Sequence, residues 1–159
     1  MNIAIINDCK DANAAGRQII RTEALIGGSV SFMGAINDLE ASGNLIDALD
    51  AFGDSPGTIL ANVAPRNGKA KKWKNGTPFG YFWYNNILVV SSVDGLTLSL
   101  VKKLKLVEFI NIMDIPTIVQ QFVNDKIISA ETGHHIINTQ FRSYDFVPRV
   151  AAYLLKHKD

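Results

Sequence analysis

Apolar residues along this chain fall into two rhythms. Short continuous runs, such as Ile3 to Ile6 ending in Asn7-Asp8, have the pattern of a central strand buried on both faces. Between them lie longer stretches with apolar residues every three or four positions, the spacing of a helix with one covered face. The first of these spans residues 12 to 25: Ala12, Ala15, Gly16, Ile19 and Ile20 line one face, Arg17 and Arg21 point away, and Gly27-Gly28 ends it. Ser29 to Met33 is the next strand. Asn37-Asp38-Leu39-Glu40 then has the capping-box form, with Asn37 as N-cap and Glu40 at the third helical position. Leu39, Gly43, Ile46 and Leu49 carry that helix to about Phe52, and Pro56-Gly57-Thr58 turns the chain into a third strand, Ile59 to Val63.

This alternation predicts an α/β fold, a three-layer α/β/α sandwich with a mostly parallel central sheet plus a hairpin. The hairpin comes from Tyr81 to Tyr84 and Ile87 to Val90, joined by Asn85-Asn86, since asparagine tolerates positive φ. Leu96, Leu100, Val101 and Leu104 mark a helix after Asp94-Gly95, and Val107 to Ile112 a further strand. A helix near Ile118 to Phe122 follows Pro116, and the segment from there to Thr139 has no legible period. Val147, Val150, Ala151, Leu154 and Leu155 form the apolar stripe of a last helix. Residues 1–159 read as a single domain, with no internal repeat.

Composition changes this picture little. Apolar residues make up 47% and charged residues 19%, a globular balance rather than a disordered one. A formal charge of +1 offers no global field to recruit nucleic acid or a membrane surface. The single cysteine, Cys9, excludes an internal disulfide and suits a reducing compartment. No apolar run approaches the ~20 residues of a membrane span, and the N-terminus lacks the basic region of a signal peptide. A soluble cytoplasmic protein is expected.

Ligands of open parallel sheets bind beyond the carboxyl ends of the strands, and three stretches fall at that edge. Asp8 ends the first strand, and Asp11 and Asn13 open the next helix. Asp8 can accept hydrogen bonds from a sugar diol and Asp11 can pair with a cationic ligand group; equally, Asp11 caps the helix and Asp8 shapes the turn. The third strand exits into Ala64-Pro65-Arg66-Asn67-Gly68, a turn able to offer backbone N–H groups. The following Lys69, Lys71, Lys72 and Lys74 read as a solvated loop, and a phosphate loop is rejected because Val63 and Ala70 occupy required glycine and hydroxyl positions. The third stretch is Thr139-Gln140-Phe141-Arg142-Ser143-Tyr144-Asp145, a polar loop in which Asp145 can serve as N-cap of the last helix. His134-His135 lacks a metal-like partner set, so no metal is expected.

Taken in order, several segments resemble the N-terminal domain of the S-adenosylmethionine-dependent halide/hydroxide adenosyltransferases, the fluorinase, chlorinase and hydroxide adenosyltransferase family. The segments are Ile5 to Asp11 leading to Ala15-Gly16, Asp38 to Gly43, Pro56-Gly57-Thr58-Ile59 with Val63 to Gly68, Val90 to Leu100 with Asp94-Gly95-Leu96, and Thr139 to Leu154. They span nearly the whole chain. The resemblance implies attack of a halide or water-derived oxygen on the 5′ carbon of S-adenosylmethionine, with release of methionine and no metal. It implies that Asp8 binds the ribose hydroxyls, that Asp11, Asn13 and Ser143 address the methionine end, and that Asn67 lies near the nucleophile. Asp94 falls in the family's Asp-Asn-Gly turn. It also implies a homo-oligomer, a trimer in relatives, binding a nucleoside rather than nucleic acid. The catalytic triad of the hydroxide-using members is not retained. Ala64 stands at its aspartate, and Arg142, a candidate to hold an anion near the reacting centre, stands at its histidine. The family's second, all-β domain has no counterpart in these 159 residues. Two expectations follow: a protein that binds S-adenosylmethionine or a related nucleoside, or a non-catalytic nucleoside-binding or oligomeric relative.

Overall fold

A computed structural model describes residues 1–63, 79–93, 97–105, 111–138 and 142–157. Six strands, β1 (Asn2–Asn7), β2 (Ser29–Gly34), β3 (Gly57–Asn62), β4 (Phe79–Tyr84), β5 (Ile87–Ser92) and β6 (Asn111–Met113), form one sheet in the order β2-β1-β3-β5-β4-β6. β2, β1, β3 and β5 run parallel, whereas β4 is antiparallel to both its neighbours. Among the helices, α1 (Ala12–Ile26), α2 (Asp38–Phe52), α3 (Thr97–Lys103), α4 (Ile115–Asn124) and α5 (Ala130–Asn138) precede a π-helical turn, Arg142–Phe146, which runs into α6 (Val147–Lys156).

Alternation along the central strands explains the three layers. Successive strand side chains point to opposite faces, so Ala4, Ile6, Ile59, Ala61, Ile87 and Val89 meet Leu45 and Leu49 of α2 and Val101 of α3. Ile5, Leu60, Leu88 and Val90 meet Phe122 of α4, Ile136 of α5 and Val147, Val150 and Ala151 of α6. Both sets of side chains are apolar because both faces are covered, which is why β1, β3 and β5 read as unbroken hydrophobic runs. The hairpin closes at Asn85-Asn86, and Asn85 adopts φ 53° as its residue type allows.

The ends of the elements follow their capping residues. Asn37 Oδ1 accepts from the Glu40 N–H at 2.8 Å, but the Glu40 carboxylate accepts from Ile36 N–H, one residue before the cap, at 3.1 Å. Gly27 at φ 80° closes α1. Gly28 sits at φ 89° where a Cβ would stand 2.6 Å from the Met1 carbonyl oxygen, so the α1–β2 connection needs glycine there.

Three expectations change and a fourth is seen only in part. The fully buried residues of α1 are Ala14, Gln18 and Thr22; of the expected stripe, Ala15, Gly16 and Ile19 are half-buried and Ile19 packs on the core, whereas Ala12 and Ile20 are exposed, Ile20 by 70%. A hydrogen-bonded glutamine is buried in preference to an isoleucine because its polar atoms find partners at the end of β1. Arg21 does not point away; it is drawn toward a buried carboxylate at the other end of the chain. The strand expected over Val107 to Ile112 is seen as Asn111–Met113, residues 106–110 lying outside the described part. The segment with no legible period holds α5, packed so tightly on α4 that a Cβ at Gly133 would lie 3.0 Å from Val123 and 3.1 Å from Val119.

Candidate functional site

The connection after β1 leads to β2 on one side, while β3 pairs on the other side of β1. This reversal of winding opens a crevice at the carboxyl ends of β1 and β3, the place where open α/β sheets bind ligands. Ile5, Asn7, Leu60 and Asn62 form its floor, Gln18 and Thr22 of α1 one wall, and Tyr144, Val147 and Pro148 the other. The space left between them is about 10 Å³, room for about one water molecule.

A polar network shapes the β1–α1 turn at this crevice. Buried Asn7 donates from Nδ2 to Gln18 Oε1 at 2.9 Å and accepts the Cys9 N–H on Oδ1 at 2.8 Å. Gln18 Nε2 in turn donates to the carbonyls of Cys9 (3.0 Å) and Ala14 (3.1 Å). Each buried amide thus has partners, and the turn carrying Asp8, Cys9 and Asp11 is fixed from beneath. At the neighbouring strand ends, Ser92 Oγ accepts from Val63 N–H at 3.2 Å and ties the exit of β3 to that of β5.

The π-helical turn reaches the same place from the far end of the chain. Tyr144, 7% exposed, lies under the Arg17 guanidinium, which sits 5.0 Å from its ring centroid. Desolvation by burial raises the Tyr144 hydroxyl above its ordinary pKa; Cys9 and Asp11 add to the rise and Arg17 opposes it. Withdrawal of the Cys9 thiol from water likewise raises its pKa, with the carboxylates of Asp8 and then Asp11 adding to the effect, although the residue as a whole is exposed. Asp145 has no exposed surface. Arg149 Nε meets its Oδ1 at 2.6 Å and Arg149 Nη2 its Oδ2 at 3.0 Å, while Arg21 Nη1 approaches Oδ2 at 3.5 Å. Asp145 is therefore a clamp between α1 and α6 and not the N-cap of α6; that position is Phe146, with no side-chain cap.

Of the candidate residues, Asp8, Asp11 and Asn13 share the β1–α1 turn and the first turn of α1. Asp8 is half-buried and engaged, whereas Asp11 and Asn13 are exposed. Asp11 caps α1, its Oδ1 accepting from the Ala14 N–H at 3.0 Å. The backbone of Arg142 and Ser143 belongs to the π-helical turn, directly before Tyr144, and their side chains lie outside the described part. Asn67, Asp94, Ala64 and the lysine loop also lie outside the described residues. His134 and His135 are exposed on α5, and no group of three or more His, Cys, Asp or Glu able to hold a metal occurs among the described residues.

Asn7, Gln18, Arg17, Tyr144 and Arg149 were not singled out by the sequence, although signals for two of them exist. Asp145 and Arg149 stand at i,i+4 spacing, and Gln18 lies between Ala14 and Thr22 on one helical row. No family model, curated protein or solved structure matches the chain.

Proposed function

We propose that the chain binds S-adenosylmethionine or a related nucleoside at the carboxyl edge of the sheet, beside the β1/β3 crevice. The observation that carries this reading is the meeting of two distant segments at one sheet edge. The turn holding Asp8 and Asp11 and the turn holding Arg142 and Ser143 are brought together through Arg17 and Tyr144. Exposed Asp11 and Asn13 at the start of α1 suit a ligand ammonium, and Asp8 suits a ribose diol. Asn67 and Asp94 would complete the site from the segments after β3 and β5, and Arg142 would hold an anion there. Catalysis on this reading is adenosyl transfer from the sulfonium to water or a halide, its demand being alignment and desolvation of the nucleophile. A homo-oligomer, a trimer by resemblance, belongs to the same reading, as does a cytoplasmic setting.

A second reading, a non-catalytic nucleoside-binding or oligomeric relative, draws on different observations. Asp11 has a complete structural role as a helix cap, and the described crevice is filled by its own side chains to about 10 Å³. Calorimetry with S-adenosylmethionine, adenosine and methionine separates the two. Saturable heat that weakens in Asp8→Asn is the expected result, and product analysis then tells transfer from binding alone. Flat titrations at millimolar ligand leave the scaffold.

A further inference from the structure

A second cavity lies on the same face of the sheet as the crevice but toward its other margin, where β4 and β6 meet α4 and α6. Its volume is about 300 Å³, within the range of small-ligand pockets. Tyr81, Phe122 and Tyr153 contribute rings, Ile112, Met113, Ile118, Val150 and Leu154 aliphatic wall, and Asn111 and Gln121 carboxamides. None of these side chains is charged, and neither carboxamide has a side-chain hydrogen-bond partner among the described residues.

We infer that this cavity is a binding site for a small, neutral, planar aromatic compound bearing an amide or lactam edge. Several properties of the lining select that class. Ring walls favour a flat aromatic guest, since tilted and offset ring contacts add to simple burial; Phe122 and Tyr153 already pack this way, centroids 5.5 Å apart at 51°. A carboxamide offers a donor beside an acceptor, and the group that satisfies both at once is another amide edge. A carboxylate would find no cationic side chain in the lining to pair with, and would lose part of its hydration against the ring walls. The volume accommodates two fused rings. This site is separate from the β1/β3 crevice and does not depend on the nucleoside reading.

Titration with 1-naphthamide, followed on the methyl resonances of Ile112, Met113 and Ile118, tests the inference. Saturable shifts at those methyls in the millimolar range or tighter are expected, with 1-naphthoate at least about tenfold weaker. Ile118→Trp, which fills the cavity, should abolish the shifts. Gln121→Met, at an exposed helical position, should leave folding intact and reduce the preference of the amide over the carboxylate. The site does not exist as described if no saturation is reached, if naphthoate binds as well, if the shifts map elsewhere, or if folded Ile118→Trp binds normally. It is equally overturned if Ile112→Lys dissociates an oligomer in sedimentation, because the cavity is then the seam between two copies.

Discussion

The carboxylate of Asp145 is wholly removed from water yet faces two guanidinium groups of different standing. Arg149 grips it through two short, charge-assisted contacts and is itself 19% exposed, whereas Arg21 stands at 3.5 Å and is 40% exposed. Removing the first leaves a buried charge almost uncompensated; removing the second leaves the bidentate pair intact. Arg149→Leu should therefore cost about 3–5 kcal/mol in urea unfolding and Arg21→Ala about 1 kcal/mol or less. Equal costs would show that the two arginines share the carboxylate. Cys9 supports a second residue-scale prediction. Partial withdrawal from water, then Asp8 and Asp11, disfavour its thiolate, so at any pH near neutrality it carries less thiolate than a free thiol. Iodoacetamide should alkylate it more slowly at pH 8 than the same thiol in the urea-unfolded chain, with the midpoint of the pH–rate profile displaced upward. Asp11→Asn should recover part of the rate, roughly twofold.

Helix α1 shows where periodicity informs and where it misleads. Its extent and its glycine stop were legible because caps and spacing are local properties. Its buried face was not, since Gln18 is buried by partners on Asn7 and Cys9 that only the folded chain brings near. Asp145 was hidden for the same reason: its spacing to Arg149 is visible, but its approach to Arg21 crosses most of the chain. The capping of α2 by Asn37 was readable from four consecutive letters. α5 was missed because its nine residues, AETGHHIIN, carry too few apolar positions for a clear stripe. Glycine positions make these elements testable. Gly16 in α1 and Gly43 in α2 have open space where a Cβ would go, so Gly16→Ala and Gly43→Ala should each stabilise by about 0.5–1 kcal/mol. Gly28→Ala should destabilise by more than that gain, given its positive φ and the Met1 carbonyl. Thermal melts of the three variants give the comparison directly.

At the scale of the molecule, the sheet is covered on both faces but unevenly along its width. β1, β3 and β5 each have a hydrogen-bonded neighbour on either side, while β2 and the three-residue β6 form the margins. Amide exchange should be slowest in β1, β3 and β5, governed there by global unfolding, and faster in β2 and β6; uniform protection across the sheet would contradict this. The sandwich itself was legible from hydrophobic runs alternating with helical spacing. The edge that would hold the nucleoside was legible only as separate polar stretches, because no local pattern in residues 8–13 or 139–145 announces that Arg17 will cover Tyr144. No helix among the described residues is long and apolar enough to cross a membrane.

Helix α6 is a party wall. Pro148 borders the narrow chamber by β1, and Leu154, roughly 9 Å further along the same rod, borders the roomy one by β6. A side-chain change at Val150 or Ala151 that tilts this rod reshapes both chambers together, so neither can be remodelled through α6 without disturbing the other. Residues away from α6, Ile118 in the wall of one chamber and Asn7 in the floor of the other, are where each can be altered without moving that helix.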